Sequence, residues 1–198
     1  MKLNKLTNID KACFHGLTFS QNYLFRPDLL EWILIKLDSI LSDGILSREQ
    51  IVKKYGTNYL YEILDRFNQL SSSGADNSHI SICANPSIEK SEQNKYSPDS
   101  FNTFVRRGLS IILNDNVLSL PQKDKAGNKK HFMDDYEIQI KDRIPKEFFT
   151  GILVGGIKEN TFYKSEQEET VNNLLSKIGN IQQKRGTDLP IFRIDKLI

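Results

Sequence analysis

The sequence predicts an α+β domain, and three observations predict it. From residue 26 to residue 70 the apolar residues recur at three- and four-residue spacing, the period of helices with one buried face. From residue 79 to residue 154 they fall into short alternating or compact runs, the pattern of strands. The two kinds of element are segregated along the chain, which favours α+β over repeated βαβ units. With 198 residues the chain supports one real core and is marginal for two, so a single domain over 1–198 is expected.

The elements follow in order. Residues 12–17, ACFHGL, read as a short buried strand ending at Gly16. From Arg26-Pro27 to Leu41 the spacing of Leu30, Ile33, Leu34, Leu37, Ile40 and Leu41 predicts a helix. Pro27 suits its first turn, Asp28 and Glu31 suit its positive end, and Gly44 suits a left-handed stop. Ser47-Arg-Glu-Gln50 has the form of a capping box opening a second helix. Residues 58–70 carry Leu60, Ile63, Leu64, Phe67 and Leu70 at helical spacing, and Ser71 to Gly74 reads as a turn. His79 to Cys83 alternates as a half-buried strand, whereas the polar segment 85–100, with two prolines, reads as a loop. Leu109 to Leu113 is a compact apolar strand, and 121–131 is a charged loop. Tyr136 to Ile140 alternates again, and Phe148 to Val154 is a further strand before Gly155-Gly156. Residues 164–183 form a polar helix with Val171, Leu174, Leu175 and Ile178 on one face, and Leu189 to Ile198 supplies an edge strand.

Composition narrows the function. A net charge of +2 implies no strong field toward nucleic acid or membrane. No run of about 18 apolar residues exists, so no membrane span is expected. The opening, MKLNKLTNIDKAC, lacks the apolar region of a secretory signal. Cys13 and Cys83 are too few for a zinc site or a disulfide framework and read as buried thiols. His15, His79 and His131 have no metal-ligand spacing, so no metal site is expected. Neither GxGxxG, GxxxxGK[ST] nor GxSxG occurs. Abundant Asn, Lys, Ile and Ser point to an AT-rich bacterial genome.

Three local patterns stand in a fixed order. Phe14-His15-Gly16 is followed by Ile40-Leu-Ser-Asp-Gly-Ile-Leu46; then comes His79-Ile-Ser-Ile82 with the later strand Leu109–Leu113. Last come Tyr136-Glu-Ile-Gln-Ile140, Ile144-Pro145 and Phe149-Thr-Gly-Ile-Leu-Val154. Over residues 12–154 this ordered set resembles the ADP-ribosyltransferase superfamily, in its diphtheria-toxin-like, poly(ADP-ribose)-polymerase-like and tRNA 2′-phosphotransferase-like branches. The resemblance implies a split antiparallel β-core flanked by helices, which binds NAD as substrate. It implies that His15 bonds the adenosine ribose and that the backbone of Gly16 holds the nicotinamide amide, where the lack of a Cβ admits a ligand. Glu137 would accept from the nicotinamide-ribose hydroxyl and stabilise the positive charge that develops as nicotinamide leaves. Ser81 would support Glu137 or the ribose.

The resemblance therefore implies transfer of ADP-ribose to a macromolecular acceptor, a protein first and a nucleic acid second. It suits a bacterial effector or toxin working in a cytosol, its own or a host's. The match departs from the family in places. Arginine-specific toxins carry an arginine where His15 stands and a Gln or Glu where Asp135 stands, which argues against simple arginine modification. No tyrosine lies in 109–113 to stack on nicotinamide; Tyr55, Tyr59 and Tyr96 are candidates, and Phe19, Tyr23 and Phe25 could form a lid. Arg106-Arg107 and the Lys123–Lys130 loop read as solvated surface. The same residues also fit a catalytically inactive binding module for a nucleotide or host protein, an enzyme acting on a phosphorylated RNA end, or an interaction protein.

Overall fold

The computed structural model describes residues 13–17, 27–59, 77–84, 108–122, 137–154 and 164–193. Residues 60–70 of the helix expected over 58–70, the 85–100 loop, residues 123–131 of the loop expected over 121–131, Arg106-Arg107, Tyr96, Asp135, His131, the aromatic segment 18–26 and Gly155-Gly156 lie outside them.

The fold is mixed α and β. Strand β1 (Cys13–Gly16) is followed by helix α1 (Pro27–Asp43), β2 (Ile45–Leu46), α2 (Arg48–Tyr55) and the short turn α3 (Thr57–Tyr59). Then come β3 (His79–Ala84), β4 (Leu109–Leu113), β5 (Glu137–Lys141), β6 (Arg143–Ile144) and β7 (Phe149–Val154). Helix α4 (Lys164–Arg185) and β8 (Ile191–Arg193) close it. Six strands form one sheet in the order β5-β3-β1-β4-β7-β8, and β2 pairs with β6 in a separate two-stranded ribbon.

Four of the sheet's pairings are antiparallel. The fifth departs from a purely antiparallel core: β8 runs parallel to β7. Its cause is the connection, because helix α4 carries the chain back across the sheet before β8 begins. One β-α-β succession therefore closes a chain whose pattern argued against repeated βαβ units.

Alternation sorts the sheet's residues. Ile80, Ile82, Leu109, Ile111, Leu113, Ile140, Ile152, Val154 and Ile191 join the buried cluster that includes Leu30, Ile33, Leu37, Leu41, Leu174 and Ile178 of the two long helices. The intervening Phe14, Ser110, Ile112 and Leu153 are buried as well, so the sheet's centre is covered on both sides. At about 25 cal/mol per Å² of apolar surface, burial on this scale is the main force holding the layers together. Helices α1 and α4 are pinned to each other by Arg185, whose guanidinium donates to both carboxylate oxygens of Asp38 at 2.6 and 2.8 Å.

Local chemistry fixes the joints. Ser47 caps α2, its hydroxyl accepting from the Gln50 amide at 3.4 Å. Only half of the expected capping box forms. The Gln50 side chain donates to Asp142 instead, and the Ser47 amide donates to the Asp142 carbonyl at 2.8 Å. At the other end of the sheet, Gln182 clamps the turn into β8. Its side-chain oxygen accepts from the Leu189 amide at 2.6 Å, and its side-chain nitrogen donates to the Leu189 carbonyl at 3.1 Å.

Candidate functional site

The residues singled out in the sequence lie on three neighbouring strands. β1 carries His15 and Gly16, β3 carries Ser81 and β5 carries Glu137, and the three run side by side as β5-β3-β1. In sequence these segments are separated by more than fifty residues on each side of β3. Antiparallel pairing brings them into one half of the sheet.

His15 is held by its neighbour strand. Its Nδ1 lies 3.0 Å from the Ser81 carbonyl oxygen. A carbonyl can only accept, so Nδ1 carries the proton, and Nε2 of the neutral ring is an acceptor. The ring is half-buried, and its residue pairs with the fully buried Ile111 of β4. Gly16 ends the strand opposite Ser110.

The register orders the other candidates. Phe14 pairs with Cys83, and Cys83 pairs with Glu137, so these three form one row across the sheet. Ser81 pairs with Gln139 two residues further along, on rows of the same parity. Ser81 and Glu137 are thus diagonal positions on adjacent strands. Gly16, two residues beyond Phe14, has that parity too. His15 belongs to the alternate row.

A cleft of about 180 Å³ opens beside His15. From the sheet it is lined by His15, His79 and Ser81; from α1 by Lys36, Ser39 and Asp43; from the α2 side by Arg48, Tyr55 and Tyr59. Its size suits a ribose or a single heterocycle, below the roughly 300–1,000 Å³ of sites that enclose a drug-sized ligand. The turn between α1 and α2 forms its floor, and that turn is the Ile40–Leu46 segment singled out in the sequence. Gly44 adopts φ +84°, and Ile45 and Leu46 then pair with Ile144 and Arg143. Two of the sequence patterns, ILSDGIL and the Ile-Pro segment, are therefore partners in one ribbon.

Lys36, Ser39, Asp43 and Arg48 were not among the residues expected from sequence. A signal for the first three existed: they recur at three- and four-residue spacing on the polar side of α1, ending at the Gly44 turn. Tyr55 and Tyr59, named as candidate stacking residues, do line the cleft. Ser110 Oγ and Gln139 Oε1 are buried without a hydrogen-bond partner among the described residues. No cluster of three or more His, Cys, Asp or Glu side chains able to hold a metal occurs among the described residues. No described helix is long and apolar enough to cross a membrane.

Comparison with protein-family models, with curated proteins and with solved structures gives no significant match for this chain.

Proposed function

We propose that the chain is an NAD-dependent ADP-ribosyltransferase, cleaving NAD and passing ADP-ribose to a macromolecular acceptor, a protein in the first instance. The observation that carries the reading is the adjacency of the three motif strands, with the His15 ring anchored to the Ser81 carbonyl at 3.0 Å. Residues far apart in sequence, which the resemblance assigns to one chemistry, are carried by three consecutive strands of the sheet, Ser81 and Glu137 in rows of one parity and His15 in the alternate rows.

In this reading Nε2 of His15 accepts from a hydroxyl of the adenosine ribose. The Gly16 backbone holds the nicotinamide amide, and Ser81 stands beside Glu137 across β3 and β5. The bond between nicotinamide nitrogen and ribose C1′ breaks, and nicotinamide leaves with the electron pair as a neutral ring. The Glu137 carboxylate stabilises the positive charge on the ribose, and the acceptor's nucleophile bonds to C1′ and loses its proton. A bacterial effector acting in a cytosol is the setting that fits the composition.

Release of nicotinamide from NAD by the purified chain, with and without cell lysate, tests this directly. Glu137→Ala should reduce release by about 100- to 1,000-fold, the usual loss when a charge-stabilising group is removed. It should still bind NAD, whereas His15→Ala should weaken NAD binding. Absence of both release and calorimetric binding in the wild type sinks the proposal. A second reading, a binding module without turnover, draws on the register, because His15 and Glu137 stand in rows of opposite parity. NAD binding with no nicotinamide released would establish it in place of the first.

A further inference from the structure

On the helical side of the cleft two tyrosines form a fixed aromatic surface. Tyr55 closes α2 and Tyr59 lies in α3, and their rings stack with centroids 4.6 Å apart and planes 26° from parallel. Both hydroxyls are tied to α1: Tyr55 donates to the Asp43 carboxylate, and Tyr59 shares a hydrogen bond of 2.5 Å with Ser39. These bonds hold the rings in place before any ligand arrives, which removes part of the ordering cost of binding. Even so, Tyr55 remains 38% exposed.

The surroundings are cationic. Lys54 Nζ lies over the face of the Tyr55 ring turned away from Tyr59, 5.2 Å from its centre, and this exposed side chain must swing aside for a ring to stack there; Lys36 and Arg48 line the same cleft as His15. Asp43 is the one carboxylate among the described lining residues, and Lys54 and Tyr55 already engage it.

We infer that the Tyr55–Tyr59 surface is a stacking platform for the adenine ring of a nucleotide. The inference rests on the NAD reading above, and it assigns the platform to one end of the dinucleotide. Adenine is neutral and flat, and it gains stacking on an aromatic side chain whatever its edge meets. The attached phosphates are anionic and are drawn by the cations around the cleft. The nicotinamide ring of NAD carries a positive charge, and Lys36, Arg48 and Lys54 together outnumber the one lining carboxylate, Asp43, so the cleft disfavours it. The position also agrees with His15, which shares the cleft and is assigned to the adenosine ribose.

The test is calorimetric titration of the full chain with AMP and, separately, with nicotinamide mononucleotide. Wild type should bind AMP, and Tyr55→Ala should weaken that binding by about 5- to 150-fold, the range for losing one base–aromatic stack. Tyr55→Leu keeps apolar bulk without a ring and should lose as much as Tyr55→Ala, while Tyr55→Phe retains more. Affinity for nicotinamide mononucleotide should be unchanged by any of them. Thermal melts confirm folding, and Tyr59→Leu serves if a Tyr55 variant fails to fold. The inference is overturned if wild type binds no AMP at millimolar concentration, if the Leu variants bind it as wild type does, or if nicotinamide mononucleotide is lost equally. AMP binding that depends on Tyr55 without nicotinamide release leaves the platform standing while transfer fails. Nicotinamide release with Tyr55-independent AMP binding does the reverse.

Discussion

Gly44 holds φ +84° between α1 and β2, where an L side chain is strained. A Cβ there would lie 2.5 Å from the Ile144 carbonyl oxygen, which belongs to β6 backbone and cannot swing aside. Gly44→Ala therefore combines backbone strain with a steric clash, and should cost about 2–4 kcal/mol in chemical denaturation. A loss below about 0.5 kcal/mol would show that the ribbon moves freely and does not define the cleft floor. At this scale the sequence was informative where one residue type has one job. Gly44 as a helix stop and Ser47 as a cap were legible because their chemistry is local. The partner of Gln50 was not, because Asp142, at φ +60°, is ninety-two positions away and is delivered only by the fold. His15 was legible as a candidate, but its anchoring to Ser81 was not.

The pair α1 and α4 shows what an element adds. Arg185 and Lys184 close the last turn of α4, where cations favour the helix dipole, and both donate to Asp38 of α1. The Arg185 hydrogen bond, more than any other contact, holds the Asp38 carboxyl below its ordinary value of 3.8. The folded value lies below the unfolded one, so the pair's stabilisation is fully present above about pH 4–5. It is lost as pH falls through the folded value. Asp38→Asn should cost about 1 kcal/mol at pH 7, given partial exposure, and the difference from wild type should shrink below pH 4. A gap that stays constant from pH 7 to pH 3 would refute the ion-pair account. Helices of this length were legible, since Leu30, Ile33, Leu37 and Leu41, and likewise Val171, Leu174 and Ile178, repeat the helical period and are buried. β2 and β6 were not, because two residues carry no period. The edge strand β8 was expected, but its parallel direction follows from the α4 crossover, which local pattern does not encode.

Sheet order is a property of the whole molecule. Nothing within the segments 13–16, 79–84 and 137–141 says that they are neighbours, and the pairing emerges only when their apolar rows face one core. That core is continuous: Trp32, Leu37 and Ile40 of α1, Ile111 of the central strand and Leu174 of α4 belong to one buried cluster. Elements sharing a core in this way lose their packing together, so their unfolding should be a single cooperative event. Trp32, the only tryptophan of the chain, is 5% exposed within this cluster, and its fluorescence reports tertiary packing at one place. Far-ultraviolet circular dichroism reports the helices and sheet everywhere. In urea the two signals should trace one curve with a common midpoint. Leu37→Ala and Leu174→Ala, each deleting a fully buried side chain from a different helix, should move that shared midpoint by about 2–5 kcal/mol of stability without separating the probes. Separation would mean that α1 and α4 belong to independently unfolding units. In that case the cleft beside α1 would open while the rest of the sheet stays folded, and the candidate site would have to be treated as mobile.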